Sequence, residues 1–126
     1  MNALFLDDSI ERTKKFFDET KDYFDEIYLS ATAKDAISIL KNETIEIAFL
    51  DHDLGGNAFQ NSLDEDCGME VVRWIILYQP KIPTIVVHSW NMPAAKNMVN
   101  RLKNAGYNAT QIPFGVSYKD ILGFDK

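Results

Sequence analysis

At 126 residues the chain is long enough to bury one core without disulfide or metal staples, and a single domain over 1–126 is expected. A formal charge of −6 argues against strong binding of duplex nucleic acid, because phosphate backbones attract basic patches, although a small phosphorylated ligand held through a metal stays compatible with it. Cys67 is the single cysteine, so no internal disulfide can form and a reducing cytoplasm is the expected location. The start, MNALFLDD, lacks the basic and long apolar regions of a secretion signal, and no apolar run is long enough to cross a bilayer, so no membrane partner is expected.

Short strand-like runs alternate with helical patterns. The first strand is ALFLD, residues 3–7, and a helix follows from Ser9 to Phe24, with Ile10, Phe17 and Phe24 seven apart on one face. IYLS, 27–30, is the second strand. A helix begins near Thr32 and turns Ala36, Ile37 and Leu40 inward. IEIAFL, 45–50, is the third strand, nearly continuous in apolar character as parallel strands covered on both faces are. A flap loop at about 54–67 leads to a helix from Gly68 that carries Met69, Val72, Ile75 and Ile76; a loop of that length in a compact domain is usually a lid or binding loop. TIVVHS, 84–89, precedes a helix with Ala95, Met98, Val99 and Leu102 in phase, which Gly106 is placed to end. ATQIPF, 109–114, is the fifth strand, and Ser117 with Asp120 marks a short last helix.

Five βα units imply a three-layer, doubly wound α/β fold with a five-stranded parallel sheet, for which the order 2-1-3-4-5 is expected. Ligands of such sheets sit at the carboxyl ends of the strands near the switch point, here between strands one and three. That edge gathers Asp7 and Asp8 after strand one, Asp51, His52 and Asp53 after strand three, and His88, Ser89 and Asn91 after strand four. Crowded carboxylates either take up protons or are neutralised by a cation. Carboxylates with carbonyls and waters suit Mg²⁺ or Mn²⁺, and a directly coordinating imidazole favours Mn²⁺ or another transition metal.

Several of these residues have a plainer alternative. Asp8 and Glu11 match a capping box for the first helix, a role that coexists with metal ligation. Asp53 is either the former of the turn into Gly55 and Gly56 or the donor of a carbonyl. Asn91 either caps the fourth helix or, with the free N–H groups there, meets an anion. Arg12 reads as a surface ion pair or a phosphate ligand, and His52 and His88 as loop histidines or as proton carriers. Asp51 has no cap or turn to explain it and is the firmest functional residue. Met69, Trp74, Ile75 and Met98 are packing residues.

Placed this way, the residues resemble those of a response-regulator receiver domain over nearly the whole chain: Asp7 and Asp8, the strand-ending Asp51, Gly68 and Ser89 fall at the motif positions. The resemblance implies Asp8, Asp51 and the carbonyl of Asp53 as Mg²⁺ ligands, with Asp7 supporting. Receivers also carry a strand-five lysine before a proline, whereas this chain has TQIPFG, with Pro113 and no lysine. The blocks LFLDDSIER, LDHDLGG and VHSWNMPA are more similar to the cyclic-phosphate processing receiver-like family, whose pattern is LFLDDxxxR, LDHDLG and VHSxNxxA. That resemblance implies metal-dependent hydrolysis of a cyclic phosphate ester, the partner being a small cyclic-phosphate nucleotide or an RNA end. His52 and His88 would be the proton carriers beside Asp51, with Ser89, Asn91 and Arg12 on the phosphate and Asp7, Asp8, Asp51 and Asp53 about the metal. The alternative is a non-enzymatic receiver or pseudo-receiver that signals by binding, with Asp51 at the phospho-acceptor position.

Overall fold

The computed structural model describes residues 1–54, 61, 63–112 and 118. It contains five strands, β1 (Asn2–Leu6), β2 (Glu26–Ser30), β3 (Ile47–Leu50), β4 (Thr84–His88) and β5 (Ala109–Ile112). Four helices join them, α1 (Ile10–Thr20), α2 (Ala33–Asn42), α3 (Gly68–Tyr78) and α4 (Met92–Asn104). All four strand pairings are parallel and the order is β2-β1-β3-β4-β5, the one expected among the few that right-handed crossovers allow. No helix among the described residues is long and apolar enough to cross a membrane.

Strand alternation divides the core between the two faces of the sheet. Leu4, Leu6, Ala48, Leu50, Ile85 and Val87 pack against α2, α3 and α4, whose inward residues include Ala36, Leu40, Val72, Ile75, Met98 and Leu102. On the opposite face Phe5, Phe49 and Val86 meet Phe16 of α1, with Phe24 and Tyr118. Phe16 stacks on Phe5 at 4.2 Å and meets Phe49 edge-on at 4.8 Å. Such ring pairs each add about 0.5–1.5 kcal/mol beyond their buried area.

The first helix departs from the sequence expectation in three ways. It ends at Thr20, and Phe24 is buried beyond it. Its core-facing residues are Phe16 and Thr20, while Ile10 and Phe17 are 86% and 40% exposed. The seven-residue spacing marks a real face of the helix, but that face is turned away from the sheet. The cap is Ser9, whose hydroxyl accepts the Arg12 N–H at 3.2 Å, so Asp8 is not the capping residue.

Elsewhere the expected caps hold. Thr32 caps α2 and Asn91 caps α4, with Pro93 in the first turn. Gly106 takes φ +97° just past α4, a left-handed conformation that costs a glycine little. Gly68 is fixed by proximity instead: a Cβ there would lie 1.8 Å from the carbonyl oxygen of Asp51. Its N–H donates to the carbonyl of His52 at 2.8 Å, which pins the start of α3 to the end of β3. Of the expected flap, Leu54 and Cys67 are buried; Asp66 accepts the Ala33 N–H at 3.0 Å, and the Asp64 carbonyl accepts Arg73 Nη2 at 2.9 Å. The acidic stretch therefore ties the α3 end of the loop to its neighbours. Gly55, Gly56, most of the flap, Pro113 and the last helix expected at Ser117 lie outside the described residues apart from Tyr118.

Candidate metal centre and its histidines

Register builds the site. Leu6 pairs with Leu50 and Leu50 with Val87, so the next row up holds Asp7, Asp51 and His88 side by side. Backbone bonds carry the sheet into that row: Asp7 N–H donates to Ser30 O at 3.0 Å and Asp51 N–H to Leu6 O at 3.1 Å. Asp7, Asp51 and His88 are almost fully buried, and Asp8 is half-buried at the mouth. One carboxylate oxygen from each of Asp7, Asp8 and Asp51 lies within 4.8 Å of the others.

The three carboxylates are not equivalent. Asp7 is saturated by donors. Its Oδ1 accepts Arg12 Nη2 and the Ser9 N–H, both at 2.8 Å, while its Oδ2 accepts Arg12 Nε at 2.8 Å and His88 Nε2 at 3.2 Å. Burial opposes the Asp7 charge, but the hydrogen bonds from His88 and Arg12 outweigh it and hold this carboxyl below its usual value. Asp51 goes the other way. Burial, then the neighbouring Asp7 charge, push it up to about 8, against the pull of Arg12, the Ser89 hydroxyl and the His52 N–H, which it accepts at 2.8 Å. Arg12 reaches all three acids, with Nη2 3.8 Å from both Asp8 Oδ1 and Asp51 Oδ2.

One guanidinium set against three carboxylates leaves negative charge that a divalent cation would offset. The oxygen-rich donor set suits a hard ion such as Mg²⁺ or Mn²⁺, which takes one or two carboxylates and keeps several waters. Asp8 and Asp51 have the better geometry for direct ligation, since the Asp7 oxygens are already filled. Asp7 is placed to orient its neighbours.

The two histidines share the carboxyl edge but not a position. His88 continues the parity of Val86 and lies on the α1 face, its ring stacked on Phe5 at 4.9 Å and 8° while its Nε2 touches Asp7. His52 is fully buried and turned toward the loops before α3 and α4. Its Nδ1 donates to Asp53 Oδ1 at 2.7 Å, and Asn91 Nδ2 donates to the same oxygen at 3.3 Å. Burial disfavours the His52 cation, yet hydrogen bonds with Cys67 and then Asp53 raise its pKa above the usual value. The Cys67 thiol is lowered in turn: burial works against ionisation, and His52 together with the backbone N–H groups of Glu70 and Met69 outweighs it.

Asp53 is thus held by its side chain away from the acidic cluster, so a metal role for it would fall to its backbone carbonyl. Asn91 caps α4 through the Ala94 N–H at 3.3 Å, bonds Asp53, and donates its own N–H to Ser89 Oγ at 3.1 Å. Ser89 in turn reaches Asp51. Sequence reasoning treated Cys67 only as a redox marker; its place directly before the pinned Gly68 was the available signal that it would contact residues beside Asp51. Neither the Asp53 clamp nor the fork of Arg12 on Asp7 could be read from spacing, because both depend on side-chain direction in loops.

Comparison with known proteins adds two findings. The family model described as the cyclic-phosphate processing receiver domain matches residues 2–104. The chain is similar in structure to a CheY-like response regulator receiver domain from Methanospirillum hungatei JF-1, at TM-score 0.67 and 20% identity, with 98% of this chain and 88% of that one covered. It is similar also to the N-terminal signal receiver domain of a two-component response regulator from Bacteroides fragilis, at TM-score 0.72 and 14% identity, covering 97% and 90% of the two chains. At these identities the likeness is one of fold. None of the curated proteins matches the sequence.

Proposed function

The chain belongs to the cyclic-phosphate processing receiver domain family, and on that footing we propose that it is a metal-dependent phosphoesterase that opens a cyclic phosphodiester by hydrolysis. The observation that carries this reading is the meeting of Asp8 and Asp51 with an Asp7–His88 pair in one buried corner. A receiver that only accepts a phosphoryl group has no evident use for that imidazole.

Asp8 and Asp51 would hold the divalent ion. Such an ion polarises a phosphoryl oxygen and lowers the pKa of an attacking water. Asp7 orients the His88 ring, since its Oδ2 accepts the Nε2 proton. This keeps an imidazole one hydrogen bond from the carboxylate cluster, and in this scheme its proton passes by way of Asp7 to the oxygen that leaves phosphorus. Arg12 keeps Asp7 ionised and presents its remaining N–H groups toward Asp8 and Asp51, where a phosphate oxygen would arrive. Ser89 fixes Asp51, and the start of α4 beside Asn91 offers N–H groups to a second phosphate oxygen. His52, clamped by Asp53 and Cys67, acts in this scheme by holding the β3–α3 junction.

The receiver alternative keeps one observation in its favour, Asp51 at the end of β3 in a receiver fold. Against it, the residue before Pro113 is Ile112, packed in the core with Phe5 and Phe49, at the place where receivers carry the lysine that contacts the phosphoryl group. A panel of 2′,3′-cyclic and 3′,5′-cyclic nucleotides, assayed with Mg²⁺, Mn²⁺ or chelator, tests the proposal. Ring opening that needs the ion supports it, and a panel inert with every ion removes it.

A further inference from the structure

A groove of about 400 Å³ opens from the acidic cluster and runs along α1. Asp7 and Asp8 form one end, and Ile10, Lys14, Phe17 and Leu29 form its body. The residues from α1 are spaced as one helical face, i, i+4 and i+7. Ile10 and Phe17 belong to the stripe that the sequence presents as core, and the fold leaves both exposed. Leu29 belongs to the same sheet face as Ile27, which packs under α1, yet Leu29 is 43% exposed. Three large apolar side chains thus line a single cleft in contact with water, where an apolar surface of this kind marks a binding site more often than chance. The volume is at the lower end of small-molecule sites.

We propose that this groove is the base-binding subsite of the phosphoesterase, taking the nucleobase of a cyclic mononucleotide whose phosphate lies at the Asp8–Asp51 cluster. The inference rests on the phosphoesterase reading and deepens it by naming the substrate class. Continuity decides the occupant. A ligand that spans the groove has its anionic end beside Asp8, which lines it and lies 3.8 Å from Arg12 Nη2, and its flat apolar end where Ile10, Phe17 and Leu29 lie. Phe17 supplies a ring face for stacking, which is tolerant of base identity. Lys14, exposed on the groove wall, is a donor for the ring nitrogens and carbonyls of a base. The geometry favours a mononucleotide over a bare cyclic phosphate, which would leave the apolar end empty.

The test compares adenosine 2′,3′-cyclic monophosphate with glycerol 1,2-cyclic phosphate, which has the same five-membered ring and charge but no base. With Mg²⁺ present and the Ile10 and Leu29 methyls isotope-labelled, the nucleotide shifts both methyl signals and the glycerol compound shifts neither. Phe17→Ala lowers the preference for the nucleotide over the glycerol ester roughly tenfold, as expected on removing one base–aromatic stack. Ile10→Ser, at a position 86% exposed, lowers it in the same direction without threatening the fold. Nucleotide that is bound or cleaved with the methyls unmoved overturns the groove assignment and leaves the phosphoesterase reading standing. An equal loss for both esters in Phe17→Ala, or methyl shifts that follow protein concentration instead of ligand, also overturns it; the latter outcome makes the groove a self-association surface. If no cyclic phosphate binds or is cleaved, the phosphoesterase reading fails and the subsite falls with it.

Discussion

Arg12 grips Asp7 with two parallel hydrogen bonds, Nε to Oδ2 and Nη2 to Oδ1, each 2.8 Å long. Its guanidinium is one-third exposed while the Asp7 carboxylate is fully buried, so the pair brings solvent-side charge to a desolvated acid. This fork is what allows two aspartates in adjacent strands to share a corner, and it sets the first prediction.

Arg12→Ala leaves Asp7 charged, buried and short of two donors. Removing one partner of a fully buried pair costs about 3–5 kcal/mol. Exposure of the Arg12 side reduces this to about 1–3 kcal/mol, because surface ion pairs are screened. Urea unfolding measures the loss. Mg²⁺ restores part of it, and Arg12→Lys, which keeps the charge without the fork, recovers less than half.

Cation affinity depends on the Asp51 proton. With its carboxyl pushed up to about 8, Asp51 holds a proton through neutral pH that a metal must displace. Affinity for Mn²⁺ therefore rises about tenfold per pH unit up to roughly pH 8 and then levels off. The same shift sets the sign for stability. A folded pKa raised above the unfolded 3.8 means the fold binds this proton more tightly, so the Asp51 contribution is full below pH 3.8 and is lost as pH rises through about 8. Without added metal the protein weakens on that account from pH 4 to 8, and Mg²⁺ raises the melting temperature more at pH 8 than at pH 6. Calorimetric titration and melting curves at the two pH values check both trends.

His88 and His52 respond differently to substitution. His88→Gln removes the imidazole on Asp7 but keeps a polar side chain of similar length, so turnover falls by about 10²–10⁴-fold while Mn²⁺ binding persists. His52→Gln loosens the Asp53–Asn91–Cys67 contacts and lowers stability by about 1–3 kcal/mol. Paired kinetic and unfolding measurements on the two variants separate these roles.

Gly68→Ala places a methyl 1.8 Å from the Asp51 carbonyl oxygen and against the His52 backbone. Both obstacles are main chain, so relief requires moving α3 or the end of β3. The expected loss is about 3 kcal/mol or more, at the upper end for overpacking, with weaker cation binding because Asp51 moves. Urea unfolding with and without Mn²⁺ measures both effects.

Much of this was legible in the sequence, for physical reasons that also explain the rest. Runs such as IEIAFL end where a parallel sheet ends, so Asp7, Asp51 and His88 were readable as edge residues, and βα alternation with right-handed crossovers narrowed the sheet order to a few, the expected one among them. The orientation of α1 was not. Ile10 and Phe17 have the spacing of a core stripe, and only the packing of Phe16 between Phe5 and Phe49 shows which face the sheet takes. The divergence of the two imidazoles was equally hidden. His88 is still in a strand and obeys its parity, whereas His52 lies past the end of β3, where no parity fixes a side chain.

The central claim, that Asp8 and Asp51 form a hydrolytic metal centre and not a phospho-acceptor site, is tested most directly by ³¹P NMR of a cyclic nucleotide with the wild-type chain and Asp51→Asn, alongside intact mass after treatment with acetyl phosphate and Mg²⁺. The account predicts conversion of the cyclic ester to a monoester with Mg²⁺ or Mn²⁺, its loss with chelator and in Asp51→Asn, and no lasting phosphoryl adduct. An intact cyclic ester with every divalent ion, together with a stable phosphoryl group on wild type that Asp51→Asn abolishes, would contradict it.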